Sequence, residues 1–200
     1  MTTSIALPTD PRPAFATAVE TAVDAMGAVR PEQLSGPTPC TEFDVATLLG
    51  HLLSVLRRVA AVGRGESPFS VPQVSTDVPD DGWGAAARAA ADDVLAVWTD
   101  DALLDRELTL PYGTHRGGVA LATYTGELST HTWDLAAATG QSPAWDDAAV
   151  AVGLAGTHHV LPADGRGERI PFAPVVPVPG DAPLIEQLVG WQGRDPGWRP

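Results

Sequence analysis

Residues 119–140 read VALATYTGELSTHTWDLAAATG. Tyr124, Leu128 and Leu135 recur at the three- to four-residue spacing of a helix face. Gly140 stands where a helix commonly ends, because glycine takes the left-handed conformation of that position without a Cβ clash. The stretch predicts a helix over 119–139.

Working outward, the chain supplies partners for it. Residues 14–29 carry Phe15, Val19, Ala22, Val23 and Met26 at helical spacing. Asp44 is a suitable N-cap for a helix over 45–63, whose stripe runs Leu48, Leu52, Val55 or Leu56, Val59 and Val62. Alanine-rich residues 83–99 and residues 146–161 add two more helices. Residues 107–118, ELTLPYGTHRGG, read as a short extended piece and a turn. Residues 65–82 form a long loop of Pro, Gly, Asp and Ser, expected to border any pocket near His51 because it follows that helix directly. From Ile170 the tail is proline-rich and extended, closing on a short helical pattern, APLIEQLVGW. The expected architecture is all-α: four or five antiparallel helices in one bundle over 10–165, with an extension over 166–200 packed on it.

Charge narrows the partners. The chain has 12 basic residues, all arginine, against 25 acidic ones, for a net charge of −13. Without a cationic face, neither nucleic acid nor an acidic membrane surface is an expected partner. No stretch is expected to reach the roughly 20 apolar residues of a membrane helix. The N-terminus lacks the basic and apolar regions of a secretory signal, so the expected location is cytoplasmic. Cys40 is the only cysteine, which rules out an internal disulfide. A homodimer stays open.

The chemistry centres on Glu127 and His131. At i and i+4 they leave one helix face about 5–6 Å apart at Cβ, a spacing that suits chelation of one divalent metal ion. Alone, such a pair is more often a solvated ion pair. His51 shifts the balance, because it lies on the apolar face of its own helix, between Leu48 and Val55. Bundle metal sites are built from inward side chains on facing helices. Three ligands, His51, Glu127 and His131, leave a coordination position open, and zinc favours this donor mix. Asp134, one turn beyond His131, is either an orienting carboxylate for a ligand or a structural group. Cys40 is expected to be an inert packed thiol. His115 is expected to be exposed, and His158 and His159 face different sides of one helix. Arg57 and Arg58 either cap the bundle or hold an anionic substrate.

Three segments carry a family resemblance. PTPCTEFDVATLLGHLL (37–53) resembles the TPCxxW-x-V-xx-L-xx-H segment of the mycothiol-dependent maleylpyruvate isomerase and DinB-like superfamily, with Phe43 in place of the usual tryptophan. HTWDLAAATGQ (131–141) resembles its H-x-WDLA-x-ATGQ segment, and residues 177–198 resemble the tail of an actinobacterial branch. The resemblance implies a DinB-like four-helix bundle with an additional helix. It also implies a metal triad that falls on His51, Glu127 and His131. The implied activity is that of a metal-dependent isomerase or transferase using a low-molecular-weight thiol such as mycothiol on a small-molecule substrate. Two rivals are a metal-dependent hydrolase with Asp134 or another carboxylate as base, and a non-catalytic metal- or ligand-binding regulatory module.

Overall fold

A computed structural model describes residues 6–167, 170 and 172–200. Four helices form the bundle: α1 (Arg12–Gly27), α2 (Val45–Gly63), α3 (Trp83–Val97) and α5 (Gly117–Thr139). Around the bundle the order is α1, α3, α2, α5, so α1 and α2 lie nearly diagonal and α2 packs directly against α5. A one-turn helix α4 (Ala102–Asp105) and an antiparallel hairpin, β1 (Glu107–Leu110) with β2 (Gly113–Arg116), connect α3 to α5. Then α6 (Asp147–Val160) packs along α5 and α1, and α7 (Leu184–Trp191) packs on α6 and α5.

Local chemistry sets the ends of the two helices that matter most. The Asp44 side chain accepts a hydrogen bond from the Thr47 amide at 2.8 Å, satisfying an amide that the first turn of α2 leaves free. Gly140 ends α5 with φ of 71°, a left-handed cap. The five long helices thus lie within a few residues of the sequence-based expectation. The segment read as an extended piece and a turn is a paired hairpin. Leu108 and Leu110 of β1 are buried in the core, and that burial stabilises so short a strand pair.

By length and composition α2 does reach the threshold of a membrane span, contrary to expectation. Its apolar character has a different origin here. Leu48, Leu49, Leu52, Leu53, Val55 and Leu56 are all fully buried, because α3, α5 and the loop over 65–82 cover α2 on several sides. A second apolar cluster, Val150, Leu154, Ile185, Leu188 and Val189, joins α6 to α7 and seats the tail.

The loop over 65–82 lies back on α2 at Gly50. The Ser75 amide donates to the Gly50 carbonyl at 3.0 Å, and a Cβ at residue 50 would meet the Ser75 carbonyl oxygen at 2.4 Å. Only glycine admits that approach, which lays the loop beside His51.

Candidate metal centre

The α2–α5 contact brings His51 against Glu127 and His131. His51 Nε2 lies 3.7 Å from Glu127 Oε1. The two imidazole rings meet edge to face with centroids 4.7 Å apart. One donor atom from each of the three residues lies within 4.8 Å of the others. A tetrahedral ion with bonds of about 2.0–2.2 Å holds its donors about 3.3–3.6 Å apart, so a small inward shift of these side chains would seat one.

Each imidazole is fixed through its outer nitrogen. His51 Nδ1 is 3.0 Å from the Gln73 carbonyl oxygen. A carbonyl only accepts, so Nδ1 carries a hydrogen, and Nε2 is the nitrogen left to bind an ion. His131 Nδ1 is 3.0 Å from Asp134 Oδ2, which imposes the same tautomer. Metal-binding histidines are oriented in this way, by a carbonyl or carboxylate on the nitrogen away from the ion.

The ionisation states suit ligation. Burial pushes the His131 imidazole below its ordinary range, and neighbouring His51 adds to this, against the opposing pull of the Asp134 hydrogen bond. It is therefore a neutral donor at neutral pH. Burial would raise the Glu127 carboxyl, but His51, His131 and Arg58 together outweigh it and hold the group ionised. Two imidazole nitrogens and one carboxylate form a donor set that fits a zinc-type ion. Among the described residues no fourth ligating side chain joins the group, so the non-catalytic rival gains no support from a closed site.

Asp134 sits on the far side of His131 with no exposed surface. Arg194 grips it, Nη2 to Oδ2 at 3.1 Å and Nε to Oδ1 at 3.4 Å. Burial favours the protonated acid, but His131 and Arg194 overcome it and keep the carboxyl below its usual range. Asp134 is thus committed to two partners and does not line the cavity above the triad. The hydrolytic alternative loses Asp134 as its base and would need another carboxylate in that role. Arg194 is a site residue that the sequence reading missed; a buried carboxylate demands a cation, but nothing in sequence says which one answers.

A cavity of about 800 Å³ opens above the triad. Pro68, Phe69 and Pro72 of the loop over 65–82 line it, as expected from the position of that loop, together with Tyr112 of the hairpin and Leu161 beyond α6. Arg58 also reaches it, donating from Nε to the Pro68 carbonyl at 3.1 Å and from Nη2 to that of Pro72 at 2.9 Å. Arg57 instead pairs with Asp77 on the surface. The Phe43 ring packs 5.2 Å from His51, retaining the contact expected of an aromatic there. Cys40 lies beside His131 and Asp134, away from the cavity floor, and burial pushes its thiol up rather than activating it. His158 packs on Trp191, and His115 is half-buried beside Tyr112 rather than exposed.

Comparison with known proteins gives the family and the fold. Residues 15–136 match the model of the mycothiol maleylpyruvate isomerase N-terminal domain. Uncharacterized proteins from two strains of Mycobacterium tuberculosis are each 33% identical over 186 residues, covering 92% of this chain and 98% of the relative. A crystal structure of the mycothiol-dependent maleylpyruvate isomerase superposes with a TM-score of 0.51 at 17% identity, covering 68% of this chain and 63% of that one. A histidine-to-alanine mutant of the same isomerase superposes with a TM-score of 0.52 at 15% identity, with the same coverage. At such identity the likeness to these structures is one of fold, the DinB-like helical fold, and the chain spans a little under two thirds of their length. With the family model matched over most of α1 to α5 and relatives matched nearly end to end, the chain belongs to the mycothiol maleylpyruvate isomerase N-terminal domain family.

Proposed function

We propose that the protein is a divalent-metal-dependent enzyme that works with a low-molecular-weight thiol of the mycothiol type, as an isomerase or transferase on a small-molecule substrate. The observation that carries this reading is the pair of histidines whose outer nitrogens are engaged by Gln73 and Asp134 while Glu127 stands between their inner ones at the cavity floor. His51, Glu127 and His131 would hold the ion, for which zinc is the best match to the donor set. A bound cation supplies one thing to the chemistry: it lowers the pKa of a coordinated thiol, so that a nucleophile exists at neutral pH.

The chain's own residues do the rest. Gln73 and Asp134 stop the two rings from turning, so the lone pairs stay aimed at one point. Arg194 keeps Asp134 ionised and in place. Phe69, Pro72 and Tyr112 line the cavity with largely apolar surface. Cys40, with its raised pKa and its place behind His131, does not compete as nucleophile. Family membership supports the thiol, since the structural neighbours are described as mycothiol-dependent.

Cobalt substitution tests this reading. Added thiol is expected to produce a sulfur-to-cobalt charge-transfer band in the wild-type protein and none in Glu127→Ala. A wild-type protein that takes up cobalt but whose spectrum ignores thiol would contradict the thiol reading.

A further inference from the structure

The cavity wall holds a polar atom that the triad does not use. Tyr124 lies one helical turn before Glu127 on α5, is 1% exposed and lines the cavity. Its phenol oxygen has no hydrogen-bond partner. Leaving a buried hydroxyl unpaired carries the full cost of its desolvation. Such a group in a native protein calls for an explanation, and a missing water or ligand is one. Trp83, Thr130 and Thr132 also carry unpaired buried atoms, but none of them lines this cavity. Burial, and after it the negative charge of Glu127, hold the phenol well above its ordinary range, so it is a standing donor.

The surroundings define what it donates to. Arg58 is the one arginine lining the cavity among the described residues, and its Nε and Nη2 are spent on the carbonyls of Pro68 and Pro72. Nη2 also donates to the Val71 carbonyl at 3.5 Å, so the two-pronged grip that arginine gives a carboxylate is not available and only Nη1 is left. In the metal-free protein Glu127 places one negative charge at the floor, which further disfavours an anionic head there. The walls are mostly apolar, with Val71, Val160, Leu161 and Phe172, and carry Thr123, Thr157 and Gln192 as polar groups. Phe69 at the rim is 75% exposed, a large apolar side chain left in water until something covers it.

We infer that the cavity takes a neutral small molecule with an apolar, ring-sized body and a single carbonyl-type oxygen, and that Tyr124 donates its hydroxyl hydrogen to that oxygen. Assigning this molecule as the electrophilic substrate rests on the thiol reading above; its binding does not need the metal.

The test uses three probes on the purified protein, with and without added zinc. Acetophenone has the ring and the oxygen, α-methylstyrene replaces the oxygen with a methylene, and benzoate adds a charge. Acetophenone is expected to bind Tyr124→Phe about 3- to 10-fold more weakly than wild type, the worth of one hydrogen bond. α-Methylstyrene is expected to bind both proteins equally. The carbonyl infrared band of bound acetophenone should shift to lower frequency in wild type and stay unshifted in Tyr124→Phe, a signature that a structural effect would not reproduce. Tyr124→Phe removes only the unpaired oxygen, so it should melt no lower than wild type. The inference is overturned if acetophenone fails to bind, if its affinity and band are the same in both proteins, or if benzoate binds the zinc-free protein more tightly than acetophenone does. If zinc fails to bind while the Tyr124-dependent shift persists, the metal reading falls and this one stands.

Discussion

His131 separates two clusters built from nearly the same side chains. On its cavity side stand Glu127 and His51; on its far side stand Asp134, Arg194 and Cys40. Both clusters pair a histidine with a carboxylate, and both bring three potential ligand groups within 4.8 Å of one another. They differ in what is already committed. Asp134 has no exposed surface and holds an arginine, whereas the Glu127 side chain is 28% exposed and, among the described residues, pairs with no arginine. The Cys40 thiol is pushed up by burial, so it is a poor thiolate ligand. A carboxylate with its charge already balanced positions its neighbour, while one left unbalanced beside two lone pairs can bind a cation. Environment, not residue type, divides the two roles.

Substitutions that act on one side only can break this comparison. The largest effect on metal affinity is expected from His51→Ala, Glu127→Ala or His131→Ala, each exceeding the roughly 10- to 100-fold loss that follows removal of an outer partner. These variants should lose less stability than Leu52→Ala, a core deletion worth about 2–5 kcal/mol. Calorimetric zinc titration and thermal unfolding check both. Asp134→Asn comes next, with affinity lowered about 10- to 100-fold, since it weakens the hold on His131 without removing a ligand. Arg194→Met should weaken metal binding less than Asp134→Asn. It should nonetheless cost about 3–5 kcal/mol of stability, because it strands a buried carboxylate. Denaturant unfolding of Arg194→Met with and without Asp134→Asn would show part of that loss recovered in the pair. Cys40→Ser should leave zinc affinity within about 2-fold, and wild-type Cys40 should alkylate more slowly than a free exposed cysteine. A large loss of metal on Cys40→Ser would place the ion on the wrong side of His131.

Much of this arrangement is legible in the sequence, for definite reasons. Asp44 and Gly140 mark the ends of α2 and α5 by their capping chemistry, which is local. Glu127 and His131 share a face because helical periodicity requires it, and His51 stands out as a polar residue on an apolar stripe. What is not legible depends on distant or backbone partners. Arg194 meets Asp134 across 60 residues, from a tail with little periodicity. Gln73 orients His51 through its carbonyl oxygen, a group every residue carries. Tyr124 reads as one more member of an apolar stripe, and only the folded packing leaves its hydroxyl unpaired. The hairpin had a signal in the alternation of Glu107, Leu108, Thr109 and Leu110, but four residues are too few to stand against a reading as loop.

The central claim is that an ion binds on the cavity side of His131. X-ray absorption at the zinc edge of the zinc-loaded protein tests it most directly. The account predicts a shell of nitrogen and oxygen donors at about 2.0–2.2 Å, with imidazole scattering from two histidines and no sulfur. A sulfur scatterer at about 2.3 Å would place the ion with Cys40 and Asp134 instead, and would contradict the account.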